Sequence, residues 1–149
     1  MIRQFSPEDA HSCSALIREC LSEDPTLSSS LREKLARSET RQTMEERARL
    51  YYVAVYECEG RVQGIAGLDL NEIRILCVAP GCRRGGIGRA LVDYIRAMVP
   101  GALFPDVFVY SSLQGREFYK SCGFVEKGLV EFDIDGEQMP TVFMTLPLR

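Results

Sequence analysis

One stretch, Glu72 to Leu91, constrains this chain more than any other. The apolar, β-branched run from Ile73 to Val78 predicts a strand, which Pro80 and Gly81 end. Glycines and arginines follow, and apolar residues then recur at helical spacing from Ile87 onward. A helix that is entered through a glycine loop presents unpaired N–H groups at the positive end of its dipole. The stretch therefore predicts an anion site, most naturally for phosphate, between a strand and a helix.

The length and charge of the chain narrow the class of protein. At 149 residues the chain is expected to form a single domain, 1–149, with a core of its own. Its 18 basic and 21 acidic residues give a net charge of −3, so we expect no general attraction to nucleic acid or to an anionic membrane. Any basic site must be local, and Arg83, Arg84 and Arg89 form such a cluster beside the glycines.

The cysteines and the apolar runs bear on location and on metal binding. No run approaches the roughly 18 apolar residues of a membrane span, and the first residues lack a signal-peptide core, so we expect a cytoplasmic protein. No C-x-x-C pair occurs, and His11 is the only histidine, which argues against a metal site. The six thiols are expected to be free and mostly buried: Cys13, Cys20, Cys58, Cys77, Cys82 and Cys122.

The order of predicted elements indicates an α+β sheet with helices on both faces. Apolar periodicity and turn residues predict a strand at 2–5, a helix from Ser6-Pro7 to about 21, and one helix or two short ones over 31–49. There follow a hairpin over 51–58 and 62–70, a strand at 73–78, a helix over 87–98, a strand at 107–110, a helix over about 113–122, and a hairpin over 128–134 and 138–146.

Two common phosphate motifs do not fit the glycine loop. No G-x-x-x-x-G-K-[ST] sequence occurs, which excludes a Walker loop. A dinucleotide fingerprint needs a third glycine where this chain has Leu91, and a hairpin before the loop disagrees with a βαβ unit. What remains is the pattern Arg83-x-x-Gly86-x-Gly88 after a strand and a proline.

Two motifs resemble those of the GNAT superfamily, the acyl-CoA-dependent N-acyltransferases. The first is Leu76-x-Val78-x-Pro80-x-x-Arg83-Arg84-Gly85-Gly86-Ile87-Gly88-x-x-Leu91, which is similar to the cofactor motif of that family. The second is Phe118-Tyr119-Lys120-Ser121-Cys122-Gly123-Phe124, which is similar to the F-Y-x-x-x-G-F signature of its other cofactor motif. The pair, in this order, is far more specific than either motif alone.

The resemblance implies a fold and a cofactor. The fold is an α+β, three-layer arrangement, in which a mixed but mostly antiparallel sheet of about seven strands, splayed at strands four and five, is flanked by about four helices. The cofactor is acetyl-CoA, with its pyrophosphate on the loop and its pantetheine arm along the fourth strand. The implied cofactor contacts are Leu76, Cys77, Val78, Arg83, Arg84, Gly85, Gly86, Ile87, Gly88, Arg89, Ser112, Gly115 and Tyr119. Many members have asparagine and alanine where this chain has Ser112 and Gly115.

The resemblance also implies catalytic residues for acyl transfer. Tyr119 would hydrogen-bond to or protonate the departing thiolate, although its position also suits a core residue. Glu72 stands where some members carry the general base, with Asp69 as the alternative, and other branches use only water. The backbone N–H of Cys77 or Val78 would bind the oxyanion.

The implied activity is transfer of an acetyl or short acyl group to a primary amine, by direct attack through a tetrahedral intermediate. Two alternatives are a non-catalytic acyl-CoA-binding or sensing module and an O-acyltransferase. In the family the acceptor site is built from the first two helices and the final hairpin, here 24–49 and 133–137. The acids Glu131, Asp133, Asp135 and Glu137 either attract a cationic amine or are ordinary charges around a hairpin turn. Members of the family commonly form dimers, so a homodimer is a further expectation.

Overall fold

The computed structural model describes all residues from Met1 to Arg149 and contains seven strands and five α-helices. The strands are β1 (Ile2–Gln4), β2 (Tyr52–Cys58), β3 (Arg61–Asp69), β4 (Glu72–Val78), β5 (Asp106–Ser112), β6 (Val125–Ile134) and β7 (Glu137–Pro147). The helices are α1 (Ala10–Glu23), α2 (Ser29–Ser38), α3 (Arg41–Leu50), α4 (Ile87–Arg96) and α5 (Arg116–Ser121). Short 3₁₀ turns at Pro7–Asp9 and Pro80–Cys82 precede α1 and the glycine loop.

All seven strands join one sheet in the order β1-β2-β3-β4-β5-β7-β6. Every neighbouring pair is antiparallel except β4 and β5, which run parallel. These two strands pair only at Glu72 with Phe108 and at Ile73 with Val109, whereas β5 continues to Ser112 beside β7. The sheet therefore opens between β4 and β5, which confirms the predicted splay.

Helices cover both faces of the sheet and bury two apolar clusters. One cluster contains the α4 residues Ile87, Leu91 and Ile95 together with Tyr119. The other contains α1 residues and Met44 of α3, packed on Val53, Val55 and Ile65. This three-layer arrangement confirms the predicted α+β fold, with one helix more than the expected four.

The extra helix arises because the segment 31–49 forms two helices. The Ser28 hydroxyl accepts the N–H of Leu31 at the start of α2, and the Thr40 hydroxyl accepts the N–H of Thr43 at the start of α3. Each cap satisfies an N–H that the first turn of a helix leaves unpaired, so the second cap starts a new helix at this point. Two predicted helices are shorter than expected, since α4 ends at Arg96 and the last helix runs only from Arg116 to Ser121.

No helix in the molecule combines the length and the apolar character that crossing a lipid bilayer requires.

Candidate functional site

A β-bulge in β4 sets the direction of its side chains and backbone groups. Ile73 pairs with Leu68 and Ile75 with Gly67, which leaves Arg74 as the extra residue. Before the bulge, Ile73 packs in the α4 cluster; after it, Leu76 and Val78 pack there. The bulge thus resets the alternation within the strand.

The pairing of β3 with β4 shows which backbone groups of β4 stay free. Ala79 N–H donates to the carbonyl of Gln63 at 2.8 Å. Because hydrogen-bonded pairs alternate in an antiparallel ladder, the N–H and C=O of Cys77 face β3, whereas those of Leu76 and Val78 face the opening. Of the two expected oxyanion donors, only Val78 has its N–H at the open edge. The Leu76 N–H, which no sequence motif marks as a donor, lies at this edge as well because of the same alternation.

The loop after β4 presents consecutive unpaired N–H groups. The first backbone bond at the start of α4 runs from Ala90 N–H to the carbonyl of Gly86, at 3.0 Å. The N–H groups from Arg83 to Arg89 have no acceptor within the chain. Together with the α4 dipole, these donors are suited to bind an anion at the open end of β4.

Two of the loop glycines have separate physical roles. Gly86 has φ +84°, a left-handed conformation that side chains other than glycine disfavour, and a Cβ there would meet nothing within 4 Å. At Gly88 a Cβ would lie 3.0 Å from the ring of Phe118, so glycine lets α4 pack closely on the second motif. The two motifs that the sequence separates are therefore in contact.

Three arginines surround the loop, and two already have partners in the chain. Arg83 donates from Nε to the carbonyl of Val78 at 3.3 Å and pairs with Glu23 of α1, also at 3.3 Å. Arg89 donates to the carbonyl of Ser121 at 3.1 Å. The exposed Arg84 makes no such contact, which leaves its guanidinium available for an external anion.

Tyr119 lies in the α4 cluster, beside the opening between β4 and β5. It is 7% exposed, and its ring packs edge-on against Phe118 and Phe124. Its hydroxyl makes no hydrogen bond within the chain. Since every fully buried side-chain oxygen has a partner, the Tyr119 hydroxyl keeps some exposure to solvent. Burial raises the pKa of Tyr119, and nearby Cys77 raises it further, so the phenol stays protonated at neutral pH.

Glu72 lies on the opposite face of the sheet from Tyr119. Successive side chains of a strand point to opposite faces, and the side chain of the next residue, Ile73, packs in the α4 cluster. Glu72 also borders a cavity of about 360 Å³. Burial raises the pKa of Glu72, Arg74 at 3.8 Å lowers it, and Asp69 raises it. The two predicted catalytic residues therefore approach the opening from different faces.

The cavity beside Glu72 is also lined by Ile73, Arg74, Tyr110 and Phe132. The segments predicted to build the acceptor site, 24–49 and 133–137, contribute no lining residue to this cavity. Two of the four acids of the last hairpin have partners within the chain: Glu137 accepts from Ser28 and Lys34, and Asp133 accepts from Gly136 and Gln138. Tyr110 and Phe132 carried no motif that the sequence analysis could use.

Ser112 and Gly115 lie where β5 turns into α5. The Ser112 hydroxyl accepts the N–H of Gly115 at 3.1 Å, which leaves the hydroxyl hydrogen free to donate. A Cβ at position 115 would lie 3.0 Å from the Ser111 hydroxyl, so glycine fits this tight turn.

One thiol at the site was not singled out by the sequence. The Cys20 thiol of α1 lies 3.5 Å from the carbonyl of Val78, which also accepts from Arg83. A hydrogen bond with the Cys77 thiol, together with Arg83, lowers the pKa of Cys20 to about 7 against the opposing effect of burial. Cys20 is thus a partly ionised thiol at neutral pH, at the end of β4.

We expect this ionisation to appear in thiol alkylation. In the unmodified protein, iodoacetamide should label Cys20 with a midpoint near pH 7, whereas buried Cys13, whose pKa burial raises to about 12, should resist labelling. Cys77→Ala removes the main stabilising hydrogen bond and should move the Cys20 midpoint toward the ordinary value of about 8.5. Peptide mass spectrometry across pH measures both thiols, and an unchanged midpoint would contradict the assigned cause.

The fold and these motifs together define a family. The profile of the acetyltransferase (GNAT) domain matches residues 47–126, more than half of the chain. The matched range contains β4, the glycine loop, α4, β5 and α5. The chain therefore belongs to the GNAT acetyltransferase family.

Solved structures share the fold over nearly the full chain. A GCN5-related N-acetyltransferase from Rhodopseudomonas palustris superposes with a TM-score of 0.92 at 22% identity, covering 99% of this chain and 95% of the other. The PaiA N-acetyltransferase from Thermoplasma acidophilum, solved with coenzyme A, gives 0.76 at 17%, covering 99% and 98%. YncA from Salmonella typhimurium, a putative acetyltransferase solved with acetyl-CoA, gives 0.71 at 18%, covering 100% and 94%.

Proposed function

We propose that this protein transfers an acetyl or short acyl group from acyl-CoA, with acetyl-CoA as the donor, to a primary amine. The observation that carries the proposal is the run of unpaired N–H groups from Arg83 to Arg89, which continues into the open edge of β4. Two relatives of the same fold were solved with coenzyme A or acetyl-CoA. The arrangement offers one continuous track for a pyrophosphate and an extended amide-containing arm.

Different groups of the chain bind different parts of the cofactor along this track. The loop N–H groups and Arg84 bind the pyrophosphate, because charge-assisted hydrogen bonds to phosphate are strong. The N–H and C=O groups of Leu76 and the N–H of Val78 pair with the amides of the pantetheine arm, as a neighbouring strand would. The Ser112 hydroxyl donates to the same arm from the β5 side of the opening.

The thioester then lies in the opening between β4 and β5, which is accessible from both faces of the sheet. Glu72 accepts a proton from the amine, whose nitrogen forms a bond to the carbonyl carbon and gives a tetrahedral intermediate. The carbon–sulfur bond breaks when this intermediate collapses. A free N–H of Val78 or Leu76 stabilises the developing charge on the carbonyl oxygen. Tyr119 donates a hydrogen bond to the departing sulfur. Because its raised pKa disfavours full proton transfer, the thiolate takes its proton from water.

Glu72→Gln tests the base. We expect the turnover rate to fall by about 100-fold, because the amine loses its proton acceptor. In the unmodified protein kcat/KM should fall as pH drops through the pKa of Glu72. Because burial raises this pKa, the acidic limb of the rate profile should lie above the ordinary glutamate pKa of about 4.3. Steady-state rates across pH measure the limb.

Asp69→Asn is the matched control, because Asp69 pairs with the same Arg74 at 3.4 Å. Its charge raises the pKa of Glu72, so removing it should shift the limb to lower pH without abolishing it. Loss of the limb in Asp69→Asn but not in Glu72→Gln would make Asp69 the base, and its survival in both would leave water as the base.

The experiment for the function as a whole is an acceptor panel. Acetyl-CoA is incubated with primary amines and alcohols, free thiol is measured, and the products are identified by mass spectrometry. Amine-dependent thiol release with an N-acetyl product is the expected result. Acetyl-CoA binding without acceptor-dependent release would support a sensing module, and an O-acetyl product would support acyl transfer to a hydroxyl.

Two further expectations belong to the proposal. The six free cysteines accord with a cytoplasmic location, where thiols stay reduced. The terminal strand β6 leaves one sheet edge open, with Leu129 69% exposed, and this edge supports a homodimer.

A further inference from the structure

One wall of the cavity beside Glu72 is formed by two aromatic rings. Phe132 is 40% exposed and Tyr110 is 37% exposed, and both line the cavity. Exposed aromatic rings that share one concave surface often mark a binding site, because leaving them in water has a free-energy cost. The sequence gives no other reason for these rings to remain uncovered.

The aromatic wall is held in place by its neighbours. The ring of Tyr110 lies edge-on to Phe132 at 5.2 Å between centroids and packs on Phe143 at 5.1 Å. Phe108 contacts the rings of Tyr110 and Phe143 at 6.0 and 5.8 Å. The four rings span strands β5, β7 and β6, so a ligand meets a surface whose side chains are already ordered.

The charged groups beside the cavity carry a small net negative charge. Asp69 and Glu72 share one guanidinium, that of Arg74, at 3.4 and 3.8 Å. Two carboxylates and one guanidinium leave a single net negative charge, which matches one ammonium group. Glu72 is the only carboxylate among the lining residues, so a second amine would find no further carboxylate within the cavity.

We propose that the acceptor is a small primary monoamine on an apolar, preferably aromatic, carbon frame. This inference rests on the proposed function and assigns the substrate class of the same site. The amine lies at Glu72, and the frame packs on Tyr110 and Phe132, which also attract the ammonium form through their ring faces. A cavity of about 360 Å³ is in the range that holds a small ligand of this kind.

The test compares amines that differ only in their frame. We expect kcat/KM for phenethylamine to exceed that for ethanolamine and for putrescine by about tenfold or more, since a buried ring discriminates on this scale. Phe132→Ala should raise KM for phenethylamine by about tenfold and leave ethanolamine within about twofold. Leu103→Ala, which removes an equally apolar side chain that is 75% exposed outside the cavity, should leave both amines unchanged.

Three results would overturn the inference. The first is a higher kcat/KM for ethanolamine, putrescine or an N-terminal glycine peptide than for phenethylamine. The second is an equal loss for all amines in Phe132→Ala. The third is turnover of no amine by protein that binds acetyl-CoA in calorimetry. The third overturns the proposed function as well, whereas the first two leave amine acetylation standing and remove only the substrate class.

Discussion

Replacing Gly86 by glutamate should weaken acetyl-CoA binding by at least about 100-fold. Two effects act in the same direction. The residue has φ +84°, where a side chain costs on the order of 1 kcal/mol or more, and the change brings a negative charge to the N-terminus of α4. That charge would face the pyrophosphate and compete for the unpaired N–H groups of the loop. Isothermal calorimetry with coenzyme A measures the loss of affinity directly.

Gly81→Glu is the matched control for this change. Gly81 lies in the 3₁₀ turn just before the loop, and a Cβ there would meet nothing within 4 Å. Its φ lies outside the left-handed region, so the substitution adds the same charge without the same strain. We expect this variant to bind coenzyme A within about fivefold of the unmodified protein, a loss that surface charge screened by salt accounts for. Equal affinity of Gly86→Glu and the unmodified protein would remove the loop from the cofactor site.

Replacing Tyr119 by phenylalanine should lower the turnover rate by about 100-fold and leave cofactor affinity nearly unchanged. The ring continues to fill its place between Phe118 and Phe124, so the core is preserved. In the proposed mechanism, the change removes one hydrogen-bond donor to the sulfur on which charge develops, and removing a donor of this kind typically costs 100-fold or more. Single-turnover rates and calorimetry separate the two effects.

The pH dependence gives this prediction a second measurement. Since burial raises the pKa of Tyr119, the phenol remains protonated throughout the neutral range, and its ionisation should add no limb to the rate profile there. Tyr52→Phe serves as the control, because its hydroxyl contacts only that of Tyr94 at 3.2 Å. A turnover rate in Tyr119→Phe within about twofold of the unmodified protein would show that Tyr119 is simply a core residue.

Much of the fold was accessible from local sequence signals. The strand from Ile73 to Val78, the glycine loop and the amphipathic α4 follow from period and turn chemistry, which act over a few residues. The two short helices after α1 were left as alternatives, and the caps at Ser28 and Thr40 decide between them. The ends of α4 and α5 were predicted too long, because fraying and tight turns set helix ends.

The candidate site was only partly accessible. Motif spacing pointed to the loop and to Tyr119, but the bulge at Arg74 has no local signature, and it determines which backbone groups of β4 face the opening. The cavity wall of Tyr110 and Phe132 combines residues from β5 and β6, and β7 lies between these strands in the sheet. No pattern within either strand could have paired them.

The sequence by itself determined the glycine and arginine loop, the helix that follows it and the family, because these depend on residue types at short, fixed spacing. Only the tertiary structure decided that β4 and β5 part after Ile73, that Tyr119 and Glu72 lie on opposite faces, and that aromatic rings line the cavity beside Glu72. Those features depend on strand order and register, which arise from contacts between residues far apart in the chain.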